Sequence, residues 1–178
     1  SPRDRQGHPY ALRAVHYAEA EELVWLMKHA RATYGFAQQV GAISSTASTM
    51  STLTVKKLFF DLTADVAAAD NTSALCELAE ISEEEVLLAE WRSATFSPCH
   101  TLVHDRGALV LSIRGSLSND DVLTDACGEL IAFEGGHVHE GMLAAAFYVQ
   151  CNIQEALASA VRKYPGAPLY VTGHSLGG

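Results

Sequence analysis

The run Pro168-Leu169-Tyr170-Val171-Thr172-Gly173-His174-Ser175-Leu176-Gly177-Gly178 decides how the rest of this chain is read. Residues 169 to 172 are apolar and β-prone, and they lead into G-x-S-x-G, the pattern of a nucleophile elbow set between a strand and a helix. Glycine at the first and last positions of such a turn keeps side chains out of neighbouring backbone. The turn lifts Ser175 toward solvent. It also aims the backbone N–H of Leu176 at the place where oxyanion charge develops. A serine hydroxyl is a poor nucleophile until a base removes its proton, so the chemistry also demands a nearby histidine. His174 directly precedes Ser175, and its ring is therefore expected to point away from the nucleophile. A bare G-x-S-x-G also arises by chance. The apolar run before it, the Pro165-Gly166 turn and the extra Gly178 weigh on the functional side.

Upstream of the elbow, residues 141 to 163 carry a helical pattern. Met142, Ala145, Tyr148 or Val149, Asn152 or Ile153, Ala156, Ala160 and Lys163 or Tyr164 mark one face. Its alanines allow close approach to a sheet. Residues 99 to 104 and 108 to 113 read as two strands joined by the turn Asp105-Arg106-Gly107, the second apolar enough for a central position. Strand, helix, strand and elbow in that order predict an α/β architecture. Between them, residues 122 to 133 show no assignable pattern, and Gly135-Gly136-His137-Val138-His139 reads as a loop. Ser82 before Glu83-Glu84-Glu85 forms a capping box, which predicts a helix from residue 82 to about Arg92. Three acids suit the positive end of a helix dipole.

The first 81 residues have a different texture. Residues 11 to 34 are expected to be helical, with Leu12, Val15, Leu23, Leu26, Met27 and Ala30 as the apolar face and Gly35 as the stop. The Ser/Thr-rich stretch 41–54 lacks a packing stripe and reads as a loop. A short helix is expected over 55–69, from Leu58, Phe59, Leu62, Val66 and Ala69, while 70–81 is ambiguous. The chain is thus divided into a helical N-terminal extension, 1–81, and an α/β segment, 82–178.

Composition excludes several function classes. Hydrophobic residues make up 48% of the 178 and charged residues 19%, an ordinary globular balance. The formal net charge is -9, from 21 acidic and 12 basic residues, and no basic cluster exceeds a pair such as Lys56-Lys57. Nucleic acid as a partner would need a basic track, so none is expected. The same acidity opposes electrostatic attraction to anionic lipid but leaves apolar interfacial contact open. Cys76, Cys99, Cys127 and Cys151 are widely spaced, which fits free thiols in a reducing compartment better than a disulfide scaffold. His137 and His139 with Glu134 or Glu140 do not have the spacing of a zinc site, and no metal or cofactor is expected. No run of 18 apolar residues is present.

A second anchor lies at Ile113-Arg114-Gly115-Ser116, where a strand ends in Arg-Gly-Ser. It reads either as an oxyanion loop or as a plain strand-end turn, with Arg114 paired to Asp120, Asp121 or Asp125. The quoted stretches together resemble the class 3 lipases, an α/β-hydrolase family, and within it the diacylglycerol lipase branch. The likeness is carried by Ala108-Leu109-Val110-Leu111-Ser112-Ile113-Arg114-Gly115-Ser116-Leu117-Ser118 and by Asp121-Val122-Leu123-Thr124-Asp125. It continues in His139-Glu140-Gly141-Met142 and in the closing Val171-Thr172-Gly173-His174-Ser175-Leu176-Gly177-Gly178. It is firm over 82–178 and looser over 16–36.

The resemblance implies the N-terminal part of an α/β-hydrolase domain, ending at the nucleophile elbow and preceded by a helical extension. It assigns Ser175 as nucleophile, Ser116 as an oxyanion-hole residue where relatives more often carry Thr, and Leu176 as the second oxyanion donor through its N–H. Asp125 and His139 match positions of structural or pocket-shaping type, and 117–138 matches a zone of the active-site rim. The implied activity is hydrolysis of glycerolipid acyl esters, with diacylglycerol favoured. Triacylglycerol, phospholipid or galactolipid are the alternatives, and a non-catalytic lipase-like scaffold is the alternative of another class. A glycerolipid partner, peripheral membrane contact, no cofactor and an intracellular, cytoplasmic or peripheral-membrane location follow from the same resemblance. In this family the triad Asp and His come after the nucleophile. Both are expected beyond residue 178, in which case the segment by itself would be inactive and poorly soluble or molten.

Overall fold

The computed structural model describes residues 17–35, 64–115 and 129–178. Within these, two helices come first, α1 (Tyr17–Ala32) and α2 (Ala64–Ala79). Strands β1 (Val86–Glu90), β2 (His100–Asp105) and β3 (Ala108–Ile113) follow. The short strands β4 (Leu130–Phe133) and β5 (Gly136–His139) lead into the long helix α3 (Glu140–Lys163), and β6 (Leu169–Gly173) closes the series.

The main sheet has the order β1-β2-β3-β6. β1, β2 and β3 form an antiparallel meander, and β6 joins β3 in parallel, with Leu109 opposite Leu169 and Ile113 opposite Gly173. The β2–β3 turn places both Arg106 (φ 50) and Gly107 (φ 76) in the left-handed region. That is the twist-matched geometry of a two-residue hairpin.

Strand alternation divides the core into two layers. Val103, Ala108 and Val110 face α1 and α2, packing with Trp25, Ala32, Leu75, Ala79 and Ile81. Leu102, Leu109 and Leu111 face α3, packing with Val149, Ile153 and Ala160. The period of two along β2 and β3 sends successive side chains to opposite helical layers, so β3 is apolar along most of its length, and β2 buries His100 and Thr101 together with Leu102 and Val103. Each layer also has a polar tie. On the α3 side, the His100 ring is hydrogen-bonded to the Pro98 carbonyl at 2.9 Å and to Asn152 Oδ1 at 3.0 Å. On the other, Asp105 accepts from Trp25 Nε1 at 2.6 Å and bonds His29 Nε2 at 2.9 Å.

Two expectations are corrected, one ambiguity is resolved and one face is borne out in part. The capping box at Ser82 is present, with the Glu85 carboxylate accepting from the Ser82 N–H at 2.7 Å and from its hydroxyl at 3.0 Å. It starts only a 3-10 turn, Glu83–Glu85, because Val86 to Glu90 pairs with β2 instead of continuing a helix. The stretch 135–139 is not a loop but half of the hairpin β4–β5, turned by Glu134 (φ 49) and Gly135 (φ 81). The ambiguous residues 70–81 belong to α2 as far as Ala79, whose buried Ala74, Leu75 and Ala79 recur at helical spacing. The apolar face expected for α1 is borne out in part: Ala30 is buried and Leu26 packs against the core, but Leu23 and Met27 are exposed, and Trp25, His29 and Ala32 are buried beside them. Trp25 and His29 carry polar ring atoms, so a count of aliphatic residues misses them and leans too far toward Leu23 and Met27.

The helix expected over 141–163 and the strands expected over 108–113 and 169–172 match the observed elements within a residue at each end. The loop 41–54 and most of the helix expected over 55–69 lie outside the described residues. Cys76, Cys99 and Cys151 are free thiols, and Cys127 lies outside the described residues. Among the described residues no helix is long and apolar enough to cross a membrane.

Candidate functional site

Parallel pairing of β3 with β6 brings their C-terminal ends side by side. Arg114-Gly115 therefore leaves the sheet next to Gly173-His174-Ser175. After β6 the chain turns sharply into a 3-10 turn over Ser175–Gly177, closed by Gly177 N–H to His174 O and Gly178 N–H to Ser175 O, both 3.1 Å. Ser175 sits at φ 57, in the left-handed region, and its side chain is exposed. A non-glycine residue pays roughly 1–2 kcal/mol for that conformation, so the surroundings must hold it.

Three glycines make room for it by absence of a side chain. A Cβ on Gly173 would collide with the carbonyl of Gly177, and one on Gly177 with the carbonyl of Ile113. A Cβ on Gly115 would collide with the carbonyl of His174, and would lie 2.7 Å from Tyr34 Oη and 3.0 Å from Ser175 Cβ. The G-x-S-x-G glycines and the glycine of Arg-Gly-Ser thus meet in one close-packed knot around the serine.

One contact into this knot comes from far away in sequence. Tyr34 follows α1 in a turn and is buried, and its hydroxyl shares a 2.8 Å hydrogen bond with His174 Nδ1. The two rings meet edge to face, 5.7 Å between centroids. The His174 ring is therefore engaged with Tyr34. Sequence reading treats Tyr34-Gly35-Phe36 as a helix end packed on the core; Tyr34 and Gly35 are buried and Phe36 lies outside the described residues, but the hydroxyl contact is not visible in the sequence. A polar-tipped aromatic at a helix end is the one signal that could have suggested it.

Beside the elbow lies a cavity of about 260 Å³, lined largely by apolar side chains that include Ile113, Met142, Ala145, Val149 and Leu176. Leu176 is half-buried at its edge, and Arg114 contributes to the wall. The Arg114 N–H donates to the Cys99 carbonyl at 2.9 Å, which fixes the strand end from the β2 side.

Ser116 and Asp125 lie outside the described residues, as does most of the rim zone 117–138. His139 caps α3, its Nδ1 accepting from the Met142 N–H at 3.3 Å. His137 lies opposite Ala132 in the β4–β5 hairpin. His104 stacks on Tyr164 at 3.7 Å, and His100 is tied to α3. Among the described residues no three His, Cys, Asp or Glu side chains are grouped as a metal site would need.

Comparison with known proteins agrees with this geometry. The family model of the class 3 lipases matches residues 110–178. Human diacylglycerol lipase-alpha is 34% identical over 105 residues, covering 46% of this chain and 10% of the human protein. A fungal lipase solved as an inhibitor complex superposes with a TM-score of 0.62 at 19% identity, covering 93% of this chain and 53% of that one. The triacylglyceride lipase of Rhizomucor miehei gives 0.59 at 19% identity, with the same 93% and 53% coverage. At that identity the two structures establish the fold, a mixed α/β-hydrolase arrangement. The chain spans about half the length of these two solved lipases. Over residues 110–178 the sequence match to the class 3 lipases, the elbow geometry and the shared fold coincide, so this part of the chain is similar to that family.

Proposed function

We propose that the whole protein is a serine hydrolase of glycerolipid acyl esters, with Ser175 as its nucleophile and diacylglycerol as its substrate. The observation that carries this reading is Ser175 itself, exposed and held at φ 57 between a parallel strand and a 3-10 turn. A left-handed serine at that junction is the strained geometry that presents a nucleophile. The apolar cavity beside it suits an acyl chain. The preference for diacylglycerol rests on the 34% identity with the human diacylglycerol lipase segment.

In this mechanism Ser175 Oγ attacks the ester carbonyl and its proton passes to a histidine. Charge on the carbonyl oxygen is met by the backbone N–H groups of Ser116 and Leu176. The C–O bond then breaks, the alcohol leaves with the proton from the histidine, and water releases the fatty acid from the acyl-enzyme. The histidine adjacent to Ser175 in sequence is His174, and its ring is held by Tyr34. In the class 3 lipase chain order the carboxylate and the histidine base follow the nucleophile, and this reading gives neither role to His174.

The test is labelling of the full-length protein with a fluorophosphonate, followed by hydrolysis assays on diacylglycerol, triacylglycerol, phospholipid and galactolipid. Labelling and diacylglycerol turnover, both abolished in Ser175→Ala, are expected. A well-folded full-length protein that neither labels nor turns over any of these esters would leave the scaffold reading standing instead.

A further inference from the structure

We propose that Tyr34 is a positioning residue of the nucleophile elbow, acting on Ser175 through the ring of His174. The inference rests on the reading of Ser175 as nucleophile and extends it to the N-terminal helical layer, which the family match over 110–178 does not include.

Ser175 holds a backbone conformation that an L-residue does not choose. Its own turn is closed by two 3-10 hydrogen bonds of 3.1 Å, neither of which engages the His174 side chain. The glycines around it remove obstacles but supply no restoring contact. Tyr34 supplies one. Its hydroxyl meets His174 Nδ1 at 2.8 Å, its ring packs edge-on against the imidazole, and it reaches Gly115 at the one place where a Cβ would displace it.

Tyr34 is itself firmly placed. The turn after α1 is closed by Tyr34 N–H to Arg31 O at 3.1 Å and Gly35 N–H to Ala32 O at 2.9 Å, and Thr33 Oγ1 donates to Ala30 O at 2.7 Å. α1 is tied to the sheet in turn, by Trp25 and His29 on Asp105 and by Thr172 Oγ1 reaching the Leu26 carbonyl at 3.5 Å. Tyr34 thus links a rigid layer to a strained turn. The bond lands on the residue immediately before the nucleophile.

The experiment uses the full-length protein. Tyr34→Phe removes only the hydroxyl, and His174→Asn removes the ring from an exposed position. The expected result for Tyr34→Phe is a fall of about tenfold in kcat and in the rate of fluorophosphonate labelling of Ser175, with KM unchanged, as loss of one hydrogen bond to the turn predicts. The double variant is expected to be no worse than the poorer single variant, because both remove the same coupling. The thermal midpoint of Tyr34→Phe should stay within a few degrees of wild type. Wild-type kcat and labelling in Tyr34→Phe, or effects that multiply in the double variant, overturn the proposal. An unlabelled wild-type protein instead overturns the nucleophile reading on which it rests, and the two failures are told apart by the wild-type lane alone.

Discussion

Gly177 and Gly178 are adjacent and identical, yet their surroundings differ. A Cβ on Gly177 would meet the carbonyl of Ile113 and lie 3.0 Å from the Arg114 carbonyl carbon, both backbone. Backbone cannot rotate aside, so β3 and the elbow must separate. On Gly178 the nearest atoms to a Cβ are 3.4 and 3.8 Å away, ordinary contact. Gly177→Ala is therefore expected to lower Ser175 labelling by at least about tenfold in the full-length protein, in line with displacement of one oxyanion donor. Gly178→Ala should label within about twofold of wild type, because no contact tighter than van der Waals is created. Equal losses from both would show that the turn tolerates no Cβ for reasons other than this clash. At this scale the sequence is a good guide, because the glycine requirement is local: G-x-S-x-G and Arg-Gly-Ser are each read from consecutive residues. Tyr34 is not readable that way. It stands 140 residues from His174, and nothing in its neighbourhood names that partner.

Among the elements, the helices and strands that match expectation are those whose pattern is strong along their own length, α3, β3 and β6. The failures are where a strong local signal is overridden by a partner. The capping box at Ser82 forms, but sheet pairing with β2 captures the residues that would have continued the helix. The hairpin β4–β5 fails for the opposite reason: Glu134-Gly135 is not a familiar turn pair, although both residues take left-handed φ. A two-residue turn with positive φ at both positions favours Asn or Asp before Gly. Glu134→Asn should therefore stabilise the protein by about 0.5 kcal/mol, and Gly135→Ala should destabilise it by about 1 kcal/mol. Nothing lies within 4 Å of a Cβ on Gly135, so the second change tests backbone strain without a clash. Urea midpoints of the two variants check both signs. An unchanged midpoint in Gly135→Ala would mean that the turn relaxes out of the left-handed region at no cost.

Across the whole molecule, the sheet is held between α1 and α2 on one face and α3 on the other, and the join on the α1 side contains a buried ionisable group. His29 is 1% exposed. Burial lowers its pKa from the ordinary 6.5, outweighing the hydrogen bond and charge of Asp105 that favour protonation, and Lys28 and Arg106 push it the same way as burial. The Asp105 carboxyl is opposed by burial as well, yet hydrogen bonds from Trp25 and His29 hold it below its usual 3.8. The signs then agree. Below pH 6.5 the unfolded chain protonates His29 first while the folded chain does not, so stability present above 6.5 falls as the pH drops toward the lowered folded value. Asp105 adds stability that is present above 3.8 and is lost as the pH falls through its own lowered value. A urea midpoint followed from pH 7.5 downward should fall below 6.5, and His29→Gln, whose amide can still donate to Asp105, should flatten that slope while leaving the Asp105 step at lower pH. A slope unchanged by His29→Gln would place the acid sensitivity elsewhere. Because α1 also carries Tyr34 to the elbow, loosening this join on acidification should add a loss of Ser175 labelling to the one that protonation of the histidine base causes, and Tyr34→Phe should remove only that added loss, giving a shallower fall with pH than wild type.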